Sequence, residues 1–316
     1  MRPGPQHVGH RLSVRHVTPD GSATDVVGRL LAADDDALRL QRRDGSERTV
    51  PQGTVIAWRV VPDRPRRPRA AAAIDPEDLI RVTSRGWPAL ESRPLGDWEL
   101  RASAGFTGRA NSVAVHGDPG LPVEAATDAV RAFYATRDLP PLAQVVVGSA
   151  WDTRLRATGW TVTRSQRPGA VVQVADLAAP AEHDPPDPQA RVTTEPDDDW
   201  WRLYHRTGDT DRGVARRVLT GPSVVGFVHL GDPVVAVGRV VVTGEWAGLA
   251  AVEVDPAHRR RGLGRRVVTT SLAWAAARGA DKAYLQTMQD NAAALALYAP
   301  FGFRDHHAYA YLEAPA

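Results

Sequence analysis

The stretch Val252–Gly264, Val-Glu-Val-Asp-Pro-Ala-His-Arg-Arg-Arg-Gly-Leu-Gly, constrains this 316-residue chain more than any other. An apolar run, Leu249 to Val254, stops at Asp255-Pro256. An arginine-glycine turn follows, and a helical pattern opens near Leu263. A strand that stops at a proline and feeds a glycine-rich turn at a helix start builds an anion cradle. Its N–H groups point outward and the helix dipole adds partial positive charge. Gly262 and Gly264 let the backbone approach a phosphate with no Cβ in the way. Arg259, Arg260 and Arg261 add charged donors around it.

Two other glycine-rich cradles are set aside by residue type and order. The phosphate-loop pattern needs Gly-Lys-Ser/Thr after its spacer, and Lys282 is the only lysine. The dinucleotide fingerprint needs three glycines in a strand-helix-strand unit with a later acidic residue. Here the turn follows an antiparallel-looking pair, Val234 to Val242 and Trp246 to Val254, joined by Thr243-Gly244-Glu245.

The flanking pattern is regular. Leu263, Val267, Thr270 and Trp274 form one stripe of a helix over 263–278, with Gly279 as its C-terminal cap. Ala283 to Met288 reads as a strand. Asp290-Asn291 starts a short alanine-rich helix that ends near Tyr298, and Phe301-Gly302-Phe303 turns into a last strand, Ala308 to Leu312. Upstream come a strand at 191–194, helices at 197–204 and 211–220, and a strand at 224–230. Residues 190–316 thus spell β-α-α-β-β-β-α-β-α-β, the size of one domain.

Arg259-x-x-Gly262-x-Gly264 resembles the pyrophosphate-binding motif of the Gcn5-related N-acetyltransferases. Asn291, Tyr298, Gly302 and Phe303 match that family's later order, whereas Pro300 departs from it. The resemblance implies an α+β fold, a mixed and mostly antiparallel sheet flanked by helices, and acetyl-CoA as cosubstrate. It also implies roles. Backbone groups of Val252 and Val254 would hold the pantetheine arm and polarise the thioester. N–H groups from Arg260 through Gly264, Leu263 included, would take the pyrophosphate beside Arg259. Asn291 would bind the pantetheine arm, and Tyr298 would protonate the departing thiolate. Many family members carry a glutamate or histidine about six residues before the position of Val254, and this chain has Gly248 there. Glu253 and Glu245 are the remaining carboxylates. Period-two alternation turns Glu253 away from Val252 and Val254, and Glu245 reaches in only from the turn.

Residues 1–62 differ in texture. Five short alternating runs, Arg11 to Val17, Ala23 to Leu31, Ala37 to Arg42, Glu47 to Val50 and Val55 to Val61, are punctuated by Pro19-Asp20-Gly21, Asp34-Asp35-Asp36 and Asp44-Gly45. That spacing predicts a small all-β SH3-like barrel. Residues 63–74 read as a basic linker. Residues 75–180 echo the C-terminal order as a degenerate half domain. A strand at 110–115 runs into His116-Gly117-Asp118-Pro119-Gly120, then helix 123–137, strand 144–147, helix 150–157 and Thr158-Gly159-Trp160. Asp118 puts negative charge where a cradle needs positive, and Pro119 and Pro122 remove donors. One working cofactor site per chain is the expectation.

Composition narrows the rest. Zero cysteines exclude disulfides, thiolate nucleophiles and zinc-thiolate sites. A formal charge of +2 exerts no global pull toward nucleic acid. No apolar run approaches membrane-spanning length and Met1 opens no signal-peptide pattern, so a cytoplasmic location is the expectation. Ten histidines, with the pair His306-His307, show no third ligand at metal-site spacing. The expected activity is transfer of acetyl from acetyl-CoA to an amine acceptor, small molecule or protein. The alternative is a CoA-binding regulatory module with vestigial catalysis, whose barrel binds a protein or nucleic-acid partner. The acceptor and the oligomeric state stay open.

Overall fold

The computed structural model describes residues 3–18, 21–42, 46–61, 70–163, 169–177, 187–208 and 210–315. The turn residues Pro19-Asp20 and Asp44-Gly45, and residues 63–69 of the basic linker, lie outside the described residues. The chain divides into two compact units, Met1–Pro68 and Arg69–Ala316.

The first unit holds β1 (Arg11–Val17), β2 (Ala23–Ala33), β3 (Ala37–Gln41), β4 (Glu47–Pro51) and β5 (Val55–Val60). Alternation sends Leu12, Val14, Val26, Leu30, Leu38, Leu40 and Val50 into one small core. All pairs are antiparallel, in the order β4-β3-β2-β1-β5. This corrects the expected SH3-like barrel: β4 and β5 each have one neighbour and do not pair with each other, so the sheet is open. The turn Gln52–Thr54 carries the chain from β4 across to β1. Buried Gln52 staples that turn, donating from Nε2 to Pro3 O at 2.8 Å and Asp34 O at 3.1 Å.

The second unit begins with α1 (Pro76–Gly86), β6 (Glu91–Leu95), β7 (Trp98–Ala102), β8 (Val113–Ala114) and α2 (Val123–Ala135). It continues with β9 (Leu142–Val146), α3 (Ala150–Ala157), β10 (Thr161–Val162) and β11 (Ala170–Asp176). Then come β12 (Ala190–Thr193), α4 (Asp198–Leu203), α5 (Arg212–Thr220), β13 (Val225–Leu230), β14 (Ala236–Thr243) and β15 (Trp246–Val254). The chain closes with α6 (Leu263–Ala276), β16 (Lys282–Met288), α7 (Ala292–Tyr298) and β17 (Arg304–Glu313).

One sheet of mixed sense runs through the unit in the order β12-β13-β14-β15-β16-β11-β17-β9-β8-β7-β6, with β10 also on β17. Among the described residues only β15–β16 and β8–β9 are parallel pairs. Residues 75–180 and 190–316 each give their last strand to the other: β11 lies against β16, and β17 lies against β9. Helix α6 covers one face of β13–β16 through Leu263, Val267, Val268, Leu272 and Ala275. On the opposite face Trp200, Leu203, Ala215, Val218 and Leu219 of α4 and α5 pack against Phe227, Val237 and Val241. The unit is α+β, a mixed and largely antiparallel sheet flanked by helices.

Candidate active site

Strands β15 and β16 pair only from Trp246↔Lys282 to Leu249↔Leu285. Beyond that point they part, and the gap is the mouth of a cleft of about 790 Å³. Ala251 helps to open it. Its φ of 53° is left-handed, and β14 slips register opposite it, Arg239 facing Ala250 while Val237 faces Glu253. This is a bulge, one extra residue on β15. It shifts the parity of the strand, so that Val252 and Val254 pack on the α6 side while Glu253, paired with Val237, stands on the opposite face. Glu253 is still among the residues lining the cleft, and its Oε1 meets Arg206 Nε at 3.0 Å.

The cradle forms at the end of β15. Asp255 accepts from the Ala257 N–H at 2.9 Å and starts the turn Pro256–His258. Arg260 (φ 64°) and Gly262 (φ 73°) are both left-handed, so the backbone between them is bent into a concave run of amides. Left-handed backbone costs a non-glycine residue about 1–2 kcal/mol, so Arg260 holds a strained pose. Gly262 is the N-cap of α6 and has no side chain to satisfy the first N–H groups of that helix. Arg259, Arg260, Gly262, Leu263 and Gly264 line the cleft, as do Val252 and Val254. Arg261 is exposed and is not among the lining residues.

Helix α7 stands across the same opening. Asn291 caps it, accepting from the Ala294 N–H at 3.1 Å, and faces the cleft. Tyr298, the last residue of α7, is 6% exposed and packs edge-on to Phe303 at 5.5 Å. Burial pushes its phenol well above the usual tyrosine range, and among the described residues no group bonds its hydroxyl. The Arg206–Glu253 pair lies close enough to act on it electrostatically.

Gly248 has a packing reason. A Cβ there would sit 2.4 Å from the Tyr284 hydroxyl and 2.8 Å from Val241 Cγ2. Tyr284 is 2% exposed and its hydroxyl also fills the space beside Gly86, so it has nowhere to go. Gly248→Ala is expected to lower stability by about 1–3 kcal/mol, the usual cost of overpacking a tight core; urea unfolding measures it, and an unchanged midpoint would show that Tyr284 yields. Glu245 is at the far end of β15. Its carboxylate meets Lys282 Nζ at 3.1 Å and it does not line the cleft.

The other wall was invisible in the sequence. Trp87, Gly108, Arg109, Tyr204, Tyr309 and Tyr311 come from widely separated segments and meet only in the folded unit. No local spacing marks them. Gly108 alone carries a signal, since a Cβ there would touch the Tyr311 ring at 2.9 Å.

The turn 116–122 sits where β8 feeds α2, as the cradle sits where β15 feeds α6. Its amides are already answered by carboxylates. Gly117 N–H donates to Glu77 Oε2 at 2.9 Å, Asp118 N–H to Asp97 Oδ2 at 2.9 Å, and Gly120 N–H to Asp118 Oδ1 at 2.8 Å. Among the described residues no group of three or more His, Asp or Glu is placed to hold a metal, and no helix is long and apolar enough to cross a membrane. His306 Nε2 instead meets Ile74 O at 3.0 Å.

Comparison with known proteins agrees with this geometry. The family described as probable histone acetyltransferase Rv0428c C-terminal matches residues 77–312, and the Rv0428c N-terminal Sm-like domain matches residues 6–59. The open first sheet is therefore Sm-like. The probable histone acetyltransferase Rv0428c of Mycobacterium tuberculosis is 33% identical over 97% of this chain and 95% of its own. The uncharacterized N-acetyltransferase YobR of Bacillus subtilis is 27% identical over 74% of this chain and 97% of its own. Among solved structures, a GCN5-related N-acetyltransferase from Kribbella flavida superposes with a TM-score of 0.50 at 16% identity, over 76% of this chain and 95% of that one. A GNAT-family acetyltransferase from Novosphingobium aromaticivorans gives 0.50 at 19%, over 75% and 98%. These two likenesses concern the fold. The chain belongs to the Gcn5-related N-acetyltransferase superfamily, in the family of the Rv0428c C-terminal region.

Proposed function

We propose that this chain is an N-acetyltransferase that moves the acetyl group of acetyl-CoA onto an amine. One observation carries the reading: the uncapped α6 N-terminus and Tyr298 line the same cleft. The residues present fit the cosubstrate. Amides from Arg260 to Gly264, with Arg259, would hold the pyrophosphate. Backbone of Val252 and Val254 and the side chain of Asn291 would hold the pantetheine arm. The amine nitrogen attacks the thioester carbonyl, a C–N bond forms and the C–S bond breaks. Tyr298, held protonated by burial, gives its proton to the leaving sulfur. The amine proton leaves toward Glu253 or water, since Gly248 offers no carboxylate.

Residues 75–180 are read as a degenerate half domain whose cofactor seat is filled by Glu77, Asp97 and Asp118. Acetyl-CoA should therefore bind once per chain. Calorimetry on the full chain tests this: a stoichiometry near two would revive the second seat, and no binding would remove the reading. The name of the M. tuberculosis relative points to histone amines, but the arginines in this cleft disfavour a basic tail. A second reading, a CoA-binding regulatory module, is favoured only by the vacancy at Gly248. Release of free thiol with a panel of amines separates the two.

A further inference from the structure

We propose that the acceptor amine carries an anionic group, carboxylate or phosphate, and that Arg109 binds it. The inference rests on the acetyltransferase reading and names its substrate class. Arg109 comes from the short turn Gly108–Ala110 and lines the same cleft as the cradle. Its Nη2 donates to Gln286 O at 3.3 Å, and the Tyr309 hydroxyl bonds it as well. A guanidinium has five N–H donors, so these two acceptors leave most of the fork unused. Its charge is unanswered too. Among the described residues Arg109 makes no ion pair, and Glu253, the one carboxylate lining the cleft, is engaged by Arg206.

The surroundings deepen the positive field. The Trp87 ring carries Arg109 on it at 5.0 Å and Arg239 at 4.6 Å. Arg239 is 1% exposed and, among the described residues, bonds only the carbonyls of Leu219 and Gly86 and leaves Nη1 without a partner. Two guanidiniums on one indole, with no ion pair to either among the described residues, make a cationic spot where Arg109 lines the cleft. A planar fork beside aromatic rings suits a carboxylate or a phosphate ester and repels a second cation. The cosubstrate's own phosphates would be held by the first amides of α6 and by Arg259, so they do not supply this anion.

The test is calorimetry on the full chain, free and loaded with CoA, using phenylacetate, phenyl phosphate and the neutral phenylacetamide as probes. In both states at least one anion should bind roughly tenfold or more tighter than the amide, as charged hydrogen bonds to a guanidinium allow. The tighter of the two anions identifies the source as carboxylate or phosphate ester. Arg109→Gln should erase the preference and Arg109→Lys should keep part of it. Equal binding of anion and amide to the wild-type protein, or a preference that survives Arg109→Gln, would overturn the proposal. Failure of CoA to bind at all would instead strike the acetyltransferase reading, and the free-protein titration would still decide the anion site.

Discussion

Gly262→Asp is expected to abolish acetyl-CoA binding while the fold persists. A Cβ at this position meets nothing within 4 Å, so the substitution has room. The left-handed backbone, φ 73°, strains any side chain by about 1–2 kcal/mol, and this strain falls on an exposed turn. The larger effect is electrostatic. The new carboxylate would stand among the first amides of α6 and take the hydrogen bonds meant for the pyrophosphate. Carboxylates take turn amides in this way at 116–122, where Glu77, Asp97 and Asp118 accept from the Gly117, Asp118 and Gly120 N–H groups. Loss of affinity beyond about a hundredfold, about 2.7 kcal/mol, is the expected calorimetric result. Wild-type affinity in a folded variant would place the cosubstrate elsewhere.

Tyr298→Phe should leave acetyl-CoA affinity nearly intact and slow turnover by about 10²–10⁴-fold, the usual range for a general acid. The ring stays against Phe303, so packing survives. Only the hydroxyl is lost, and within the described residues it holds nothing else in place. Because burial raises this phenol, it remains a donor across neutral pH. An unchanged rate with the best acceptor would make Tyr298 a packing residue and water the acid. Absence of turnover in the wild type with every amine, despite tight CoA binding, would favour the regulatory module.

The places where sequence reasoning and structure part are local in one direction. The run Arg11 to Val17 became β1 to the residue, yet the sheet it joins stayed open, because closure depends on where Gln52 anchors the chain. The vacancy at Gly248 was visible, but its cause, Tyr284, lies on another strand. Period-two alternation turned Glu253 away from Val252 and Val254, and the packing has it so. The bulge at Ala251 that sets which face those valines take was not legible, since no residue type forces a bulge at an alanine.

What the sequence determined by itself is short-range backbone chemistry. A strand ended by Asp255-Pro256, left-handed turn positions and a helix opened by Gly262 make an anion seat wherever they occur, since neighbouring amides create it. Only the tertiary structure decided the rest. Exchange of β11 and β17 joins two segments into one sheet and brings Trp87, Arg109, Tyr309 and Tyr311 to the cleft. Such a wall depends on which sheet edges meet, a choice made by packing between segments that no periodicity along the chain records.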